Sequence, residues 1–170
     1  METSTNTSAK SINLKWGLIG GFLSIIFFLI IDFTGQSQNQ PLQYLGIIFA
    51  FAVTFLAHKE YKEQGNGYMS YSKGLGIGTM VAVISSVISA VFTYIYLSFI
   101  NDQRVVEARE KAIWEMEQSD TEIEQAMSFV EPWISPLAFL FYALIGGIFF
   151  GFIISLIVSI FSKNQDPEAV

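Results

Sequence analysis

The stretch Gly74–Ala90, GLGIGTMVAVISSVISA, decides how this chain folds, because small residues recur at every fourth position of an apolar run. Positions four apart lie on one face of a helix. The first row of small residues is Gly74, Gly78, Ala82, Ser86 and Ala90. A second row, in the last apolar run, is Ala143, Gly147, Gly151, Ser155 and Ser159. Helices in lipid associate by close packing, which such rows permit. We therefore predict that these are helix-packing residues, and that the rows face each other or face a second copy.

The composition around this stretch is that of a membrane protein. Hydrophobic residues make up 52% of the 170 positions and charged residues only 14%, which is more apolar surface than a soluble domain readily hides. A spanning helix needs about 20 mainly apolar residues. The predicted fold is all-α, a single integral membrane four-helix bundle over residues 1–170. The predicted spans are 14–33, 41–57, 75–100 and 134–161, with a connecting loop at 58–74.

The segment 101–133 carries no spanning run but has helical periodicity. Apolar residues share one face over 105–116 and another over 123–130, and Ser119 followed by Glu122 forms a capping box. We predict an extramembrane amphipathic helical hairpin between the third and fourth helices. Nine of the fifteen acidic residues lie here. A charge run is usually a solvated face, and that interpretation is favoured over a cation site or a basic protein partner.

The distribution of lysine and arginine predicts the orientation. Six lysines flank the apolar runs at the amino terminus, in the 58–73 loop and at the carboxyl tail, whereas the 34–40 loop has no basic residue. Basic residues concentrate on the cytoplasmic side. We expect a multi-pass protein of the bacterial cytoplasmic (inner) membrane, with both termini cytoplasmic and residues 101–133 in the periplasm.

The sequence lacks the residues that several kinds of catalytic or binding site require. The chain has no cysteine and a single histidine, His58, which argues against thiolate metal sites and Ser-His triads. Lys73 precedes Gly74 and no Ser or Thr follows the lysine, so a phosphate-binding loop is not indicated. The net charge of −6 and the lack of a basic stripe argue against nucleic acid. We expect no enzyme activity, no catalytic residue, no metal and no cofactor.

A few polar residues in the apolar runs are candidates for function. Asp32 lies about 25 Å along its helix from Lys15, near the outer interface, where a solvated carboxylate is favoured over an ion or proton site. Ser85 and Ser89 form a hydroxyl row, which either lines a pore or bonds to neighbouring backbone. For His58, an interfacial or helix-capping role is expected.

Four quoted segments resemble a known family. They are LKWGLIGG, HKEYKEQGNGYMSYSKGLGIG, ISAVFTYIYLSFI and GGIFFGFIISLIVSIF. Together they are similar to domain of unknown function family 4199, small four-helix membrane proteins of the Bacteroidota. The resemblance extends roughly from Lys10 to Ser162 and implies four spans in the cytoplasmic membrane. It implies no activity and no catalytic residues.

Two functional hypotheses follow. The first is a non-enzymatic structural, interaction or accessory subunit of the bacterial envelope, embedded in the lipid bilayer and contacting a protein partner through the acidic segment 101–133. The second is a small transporter or channel, formed as a homo-oligomer around the hydroxyl-bearing third helices.

Overall fold

The chain is almost entirely helical in this computed structural model, which describes residues 9–37, 39–118 and 122–164. The all-α prediction is therefore confirmed. The helices are α1 (Ala9–Phe33), α2 (Gln40–Gln43), α3 (Leu45–Gln64), α4 (Tyr71–Phe99), α5 (Gln103–Gln118), α6 (Ile123–Val130) and α7 (Pro136–Ser162), with a 3-10 turn at Glu131–Ile134 before α7.

Three helices in the described part of the chain are long and apolar enough to cross a membrane: α1, α4 and α7, with 25, 29 and 27 residues. They indicate a membrane protein. The predicted span at 41–57 does not form a helix that is long and apolar enough by the same measure. It is divided between α2 and the first part of α3, and α3 continues into the charged residues Lys59, Glu60 and Lys62.

Local sequence signals fix where the long helices begin. The side chain of Ser70 caps α4 by accepting a hydrogen bond from the backbone N–H of Lys73 at 3.3 Å. Gly67, in the preceding turn, has a φ of +85°, a conformation that favours glycine. Ser135 caps α7 in the same way as Ser70 caps α4, and Pro136 occupies the first turn, where a missing N–H costs nothing.

The contacts between helices give their relative directions. Gly17 of α1 lies against Ile84 of α4, and Gly21 lies against Ile88, so α1 and α4 run in parallel. The helices α3 and α7 both run antiparallel to α4. The most extensive contact is between α4 and α7, followed by that between α1 and α4, while α3 contacts all three of the others.

The two rows of small residues face each other within one chain. Gly147 lies against Ser86, Gly151 against Ala82 and Ser155 against Gly78. Further along, Ser159 lies beside Gly74, and a Cβ added to that glycine would be 3.1 Å from the serine hydroxyl. Ala90 is buried as well. This direct meeting of backbones explains why α4 and α7 make the closest contact in the protein.

Residues beyond α4 form a small helical segment. The helix α5 contacts α6 and the 3-10 turn, and it touches the end of α4. Arg109 of α5 pairs with Glu131 of the 3-10 turn. The predicted capping serine, Ser119, lies outside the described residues, and α6 begins at Ile123.

Candidate functional site

The most polar site near the membrane-embedded helices is built around Asp32, in the last turn of α1. Its carboxylate accepts hydrogen bonds from the Tyr96 hydroxyl at 2.6 Å, Arg104 Nε at 2.8 Å and Asn101 Nδ2 at 3.1 Å. The side chain of Asp32 is only 5% exposed and that of Arg104 is 21% exposed. These four residues join α1, α4 and α5. We call them the outer polar cluster, and we use "outer" for the end of the helix assembly next to α5 and "inner" for the end next to His58.

The chain turn between α4 and α5 positions the arginine. The side-chain oxygen of Asn101 accepts a hydrogen bond from the backbone N–H of Gln103 at 3.1 Å, at the first residue of α5. The side-chain nitrogen of the same residue donates to Asp32. The guanidinium of Arg104 then lies 4.1 Å from the centre of the Phe28 ring. An aromatic face attracts such a cation, so α5 is fixed to α1 by both charge and ring contact.

The structure corrects the expectation for Asp32. We expected a solvated interfacial carboxylate, but the side chain is nearly buried and is paired with Arg104. Burial of a carboxylate is costly unless it is paired and hydrogen-bonded, and this one is both. Arg104 is the first basic residue after α4. This position was the one feature of the sequence that could have indicated an ion pair between Arg104 and Asp32. Nothing in the sequence indicated that Tyr96 or Asn101 would bond to Asp32.

A cavity of about 680 Å³ lies between α1, α3, α4 and α7, and Arg104 contributes to its wall. The hydroxyl row lies along it. Ser85 donates a hydrogen bond to the Gly17 carbonyl at 3.0 Å, and Ser89 donates to the Ser86 carbonyl at 3.2 Å. Both hydroxyls therefore donate to backbone carbonyls, and both side chains also line the cavity.

The opposite end of the assembly holds His58, which is fully buried. Its Nε2 lies 2.8 Å from the Gly74 carbonyl of α4. The ring is therefore packed between α3 and α4 and bonded to a backbone carbonyl of the first turn of α4, while the interfacial depth expected for His58 stays a prediction. No protein group satisfies His58 Nδ1 or the hydroxyls of Ser159 and Ser162 within the described chain.

A second polar contact at this end joins α1 to α3. Glu60 accepts hydrogen bonds from Lys15 Nζ and from the indole N–H of Trp16, both at 2.7 Å, and from Gln64 at 2.6 Å. The hydrogen bond from Lys15 is the largest of the effects that hold the pKa of Glu60 below its usual range, and it outweighs the opposing effect of burial.

The acidic segment leaves large apolar side chains uncovered. No residue of α5, α6 or the 3-10 turn is buried. Trp114 is 58% exposed, Phe129 72% and Trp133 66%. Three or more His, Asp or Glu side chains do not converge into a metal-binding group anywhere in the residues that the structure describes.

The chain belongs to the family described as "Protein of unknown function (DUF4199)", whose sequence profile matches residues 15–164. The resemblance stated for the four quoted segments is thereby confirmed. No curated protein and no solved structure matches the chain.

Proposed function

We propose that this chain is a non-enzymatic accessory protein of a bacterial inner membrane, and that it binds a basic surface of another envelope protein through α5, α6 and the 3-10 turn. The observation that carries the proposal is the combination of exposed aromatic residues with dense negative charge on a segment fixed to the membrane helices. Aromatic residues are enriched at the centres of protein interfaces.

Charge favours a protein partner over the lipid surface. The segment 101–133 has nine acidic residues against Arg104, Arg109 and Lys111. Interfacial amphipathic helices are typically rich in lysine and arginine, which are drawn to anionic lipid. The opposite charge balance here opposes flat binding to an anionic bilayer and complements a basic protein surface.

The segment is also held in place before any partner arrives. Arg104 fixes the first turn of α5 to Asp32, and Glu107 accepts a hydrogen bond from Ser37 at 2.8 Å one turn later. Arg109 links α5 to the 3-10 turn. A surface that is already ordered loses less conformational entropy on binding.

We also propose that α3 is the fourth span of a four-helix bundle, with α5 and α6 as an extramembrane hairpin. Two observations support this. α1 and α4 are parallel, so the chain must return across the membrane between them. Glu60 of α3 binds Lys15 near the start of α1, while α3 begins just after the loop that follows the end of α1. α3 therefore runs back alongside α1, and residues 45–57 lie at the depth of the candidate spans.

The lysine distribution supports cytoplasmic termini, and cysteine labelling tests this orientation. The chain has no native cysteine, so Gly65→Cys and Ser119→Cys each provide one target. An impermeant maleimide is added to cells whose outer membrane has been permeabilised and whose inner membrane is intact. It is expected to label Ser119→Cys and not Gly65→Cys. The reverse pattern would invert the orientation.

The partner proposal is tested by co-purification from native membranes followed by quantitative mass spectrometry. A companion protein is expected at fixed stoichiometry with the wild type and is expected to be lost from the double variant Trp114→Ala, Phe129→Ala. The matched control is Phe161→Ala, since Phe161 is an aromatic residue on α7 that is 80% exposed. Equal recovery with all three proteins, or no companion with any, contradicts the proposal.

The second candidate, a homo-oligomeric transporter or channel, is favoured by the cavity beside Ser85 and Ser89. Flux through liposomes separates the two. Measurable wild-type flux that is lost in Ser85→Ala, Ser89→Ala supports a channel, whereas no wild-type flux, or flux unchanged in the variant, contradicts it.

A further inference from the structure

The cavity of about 680 Å³ is large for a protein of 170 residues, and it lies among the membrane-embedded helices. It extends from Arg104 and Tyr44 at the outer end to Thr54 and Ile154 near the middle of the assembly. Sites that take small molecules have volumes of about 300–1,000 Å³. The space is therefore of a size that holds a ligand.

The cavity wall is mainly apolar. Apolar lining residues come from α1, α3 and α7: Leu23, Phe27, Ile47, Phe49, Ala50 and Phe150. A water molecule needs two to four polar partners to be held in a cavity. The hydroxyls of Ser24, Ser85 and Ser89 on this wall already donate to backbone carbonyls. A hydrocarbon chain is a better match than water or a hydrated ion.

The cavity is also open to the surroundings of the helices. Leu23, Ile47, Phe49 and Phe150 line it, and all four side chains are exposed rather than enclosed by protein. In a membrane, that surface is covered by lipid, so an acyl chain enters from the side without crossing water.

Arg104 supplies one polar end to this apolar space. A guanidinium has five N–H donors. Arg104 Nε bonds to Asp32, and Nη2 lies 3.4 Å from the Phe28 carbonyl. Donors remain on the two Nη atoms, and arginine binds phosphate oxygens in a bidentate manner. A guanidinium at the end of an apolar cavity suits a ligand that has a phosphate joined to an acyl chain: the guanidinium binds the phosphate and the cavity holds the chain.

We propose that the cavity binds one bilayer phospholipid, with an acyl chain between α1, α3, α4 and α7 and its phosphate at Arg104. Arg104 belongs to α5, but the acyl-chain part of the site lies between α1, α3, α4 and α7, so variants that fill the cavity test the lipid site separately from the partner surface. The site does not depend on orientation, because both leaflets of a bilayer contain phospholipid.

The proposal is tested by native mass spectrometry of the delipidated full-length protein titrated with dioleoyl phosphatidylglycerol in non-ionic detergent. One lipid per chain is expected to bind ahead of any others. Gly146 lines the cavity, and a Cβ added to it meets no atom within 4 Å, so Gly146→Leu is expected to extend its side chain into the cavity. We expect this variant to bind the first lipid about tenfold or more weakly.

The matched control is Gly76→Leu, because a Cβ at Gly76 also meets nothing within 4 Å but the residue does not line the cavity. It is expected to bind lipid as the wild type does. Ala50→Leu, from the α3 side of the cavity, provides a second filling variant should Gly146→Leu fold poorly. Wild-type lipid binding by the folded filling variants, or equal loss in Gly76→Leu, overturns the proposal.

The role of Arg104 is tested separately with dioleoylglycerol, which has the acyl chains without the phosphate. The wild type is expected to prefer the phospholipid, and Arg104→Lys, which keeps the charge but removes the planar fork, is expected to lose most of that preference. Inorganic phosphate alone is expected to compete poorly. Equal binding of the two lipids by the wild type, or full competition by free phosphate, contradicts a phospholipid site.

Discussion

The two halves of the helix assembly are held together in different ways. In the inner half, α3, α4 and α7 meet directly, with Thr54 and Ser155 against Gly78 and with His58 against Gly74. In the outer half, α3 lines the cavity instead, over residues 46–53. There the outer polar cluster joins α1, α4 and α5 through Asp32.

This difference follows from where small residues occur on α4. Gly74 and Gly78 present no side chain toward α3, so the helices approach until backbone and side chain touch. Further along, Ser85 and Ser89 occupy the side of α4 that lines the cavity, and the separation between helices leaves a space. The two halves therefore differ on the α3 side of α4: α3 packs closely against α4 in the inner half and is separated from it by the cavity in the outer half, where the outer polar cluster adds polar contacts between α1, α4 and α5.

The largest expected effect comes from Gly78→Leu, which breaks the inner packing. Even a Cβ at Gly78 would lie 2.9 Å from Ser155 Cβ and 2.9 Å from Thr54 Cγ2. The cost should exceed the about 1–3 kcal/mol typical of extra methylenes in a packed core, so little folded protein is expected. Thermal unfolding in detergent measures this. Gly76→Leu, two residues away, meets no atom and should unfold like the wild type; equal stability of the two variants would refute the packing argument.

The next largest effect is expected from Arg104→Ala, which leaves Asp32 nearly buried without its cation. Breaking a buried pair costs about 3–5 kcal/mol, and the partial exposure of Arg104 reduces the expected cost to about 2–3 kcal/mol. Thermal unfolding again gives the measurement.

Two further variants make that test specific to charge burial. Arg109→Ala removes an arginine from an exposed pair with Glu131 and should cost less than about 1 kcal/mol. Adding Asp32→Asn to Arg104→Ala removes the unpaired charge and should recover part of the lost stability. A double variant no more stable than Arg104→Ala alone would show that the charge of Asp32 does not cause the loss.

The smallest expected effect is the pH dependence of the stability that Glu60 contributes at the inner end. The pKa of Glu60 is held below its ordinary value of 4.5, chiefly by its hydrogen bond from Lys15. A lowered pKa in the folded state stabilises the protein above the unfolded-state pKa, and this contribution disappears as the pH falls through the lowered value. Because Lys15 is largely exposed, the pair should contribute no more than about 1 kcal/mol.

The test compares unfolding of the wild type and Glu60→Gln between neutral and acidic pH. The wild-type advantage should be constant at neutral pH and should shrink as the pH falls below about 4.5. Glu63→Gln is the control, since Glu63 forms a 3.6 Å pair with Lys59 in which both side chains are exposed. An advantage that grows in acid would contradict this role for Glu60.

The candidate site was only partly predictable from the sequence. Asp32 was identifiable because an ionisable residue in an apolar run is rare. Its partners Tyr96 and Asn101 were not, since they lie 64 and 69 positions away and no local pattern links them to α1. Arg104, 72 positions away, was marked only as the first basic residue after α4. The exposure expected for Asp32 was wrong for the same reason, because burial depends on which helix end comes to lie beside it.

The burial of His58 was also not predictable from the local sequence. Its position after the apolar run suggested an interface, and only the approach of α4 through Gly74 encloses the ring. The sequence by itself determined the apolar helices and the rows of small residues, because these depend on local composition and helical period. The tertiary structure decided that α1 and α4 are parallel, that Asp32 is paired and that a cavity remains, because these depend on contacts between residues far apart in the chain.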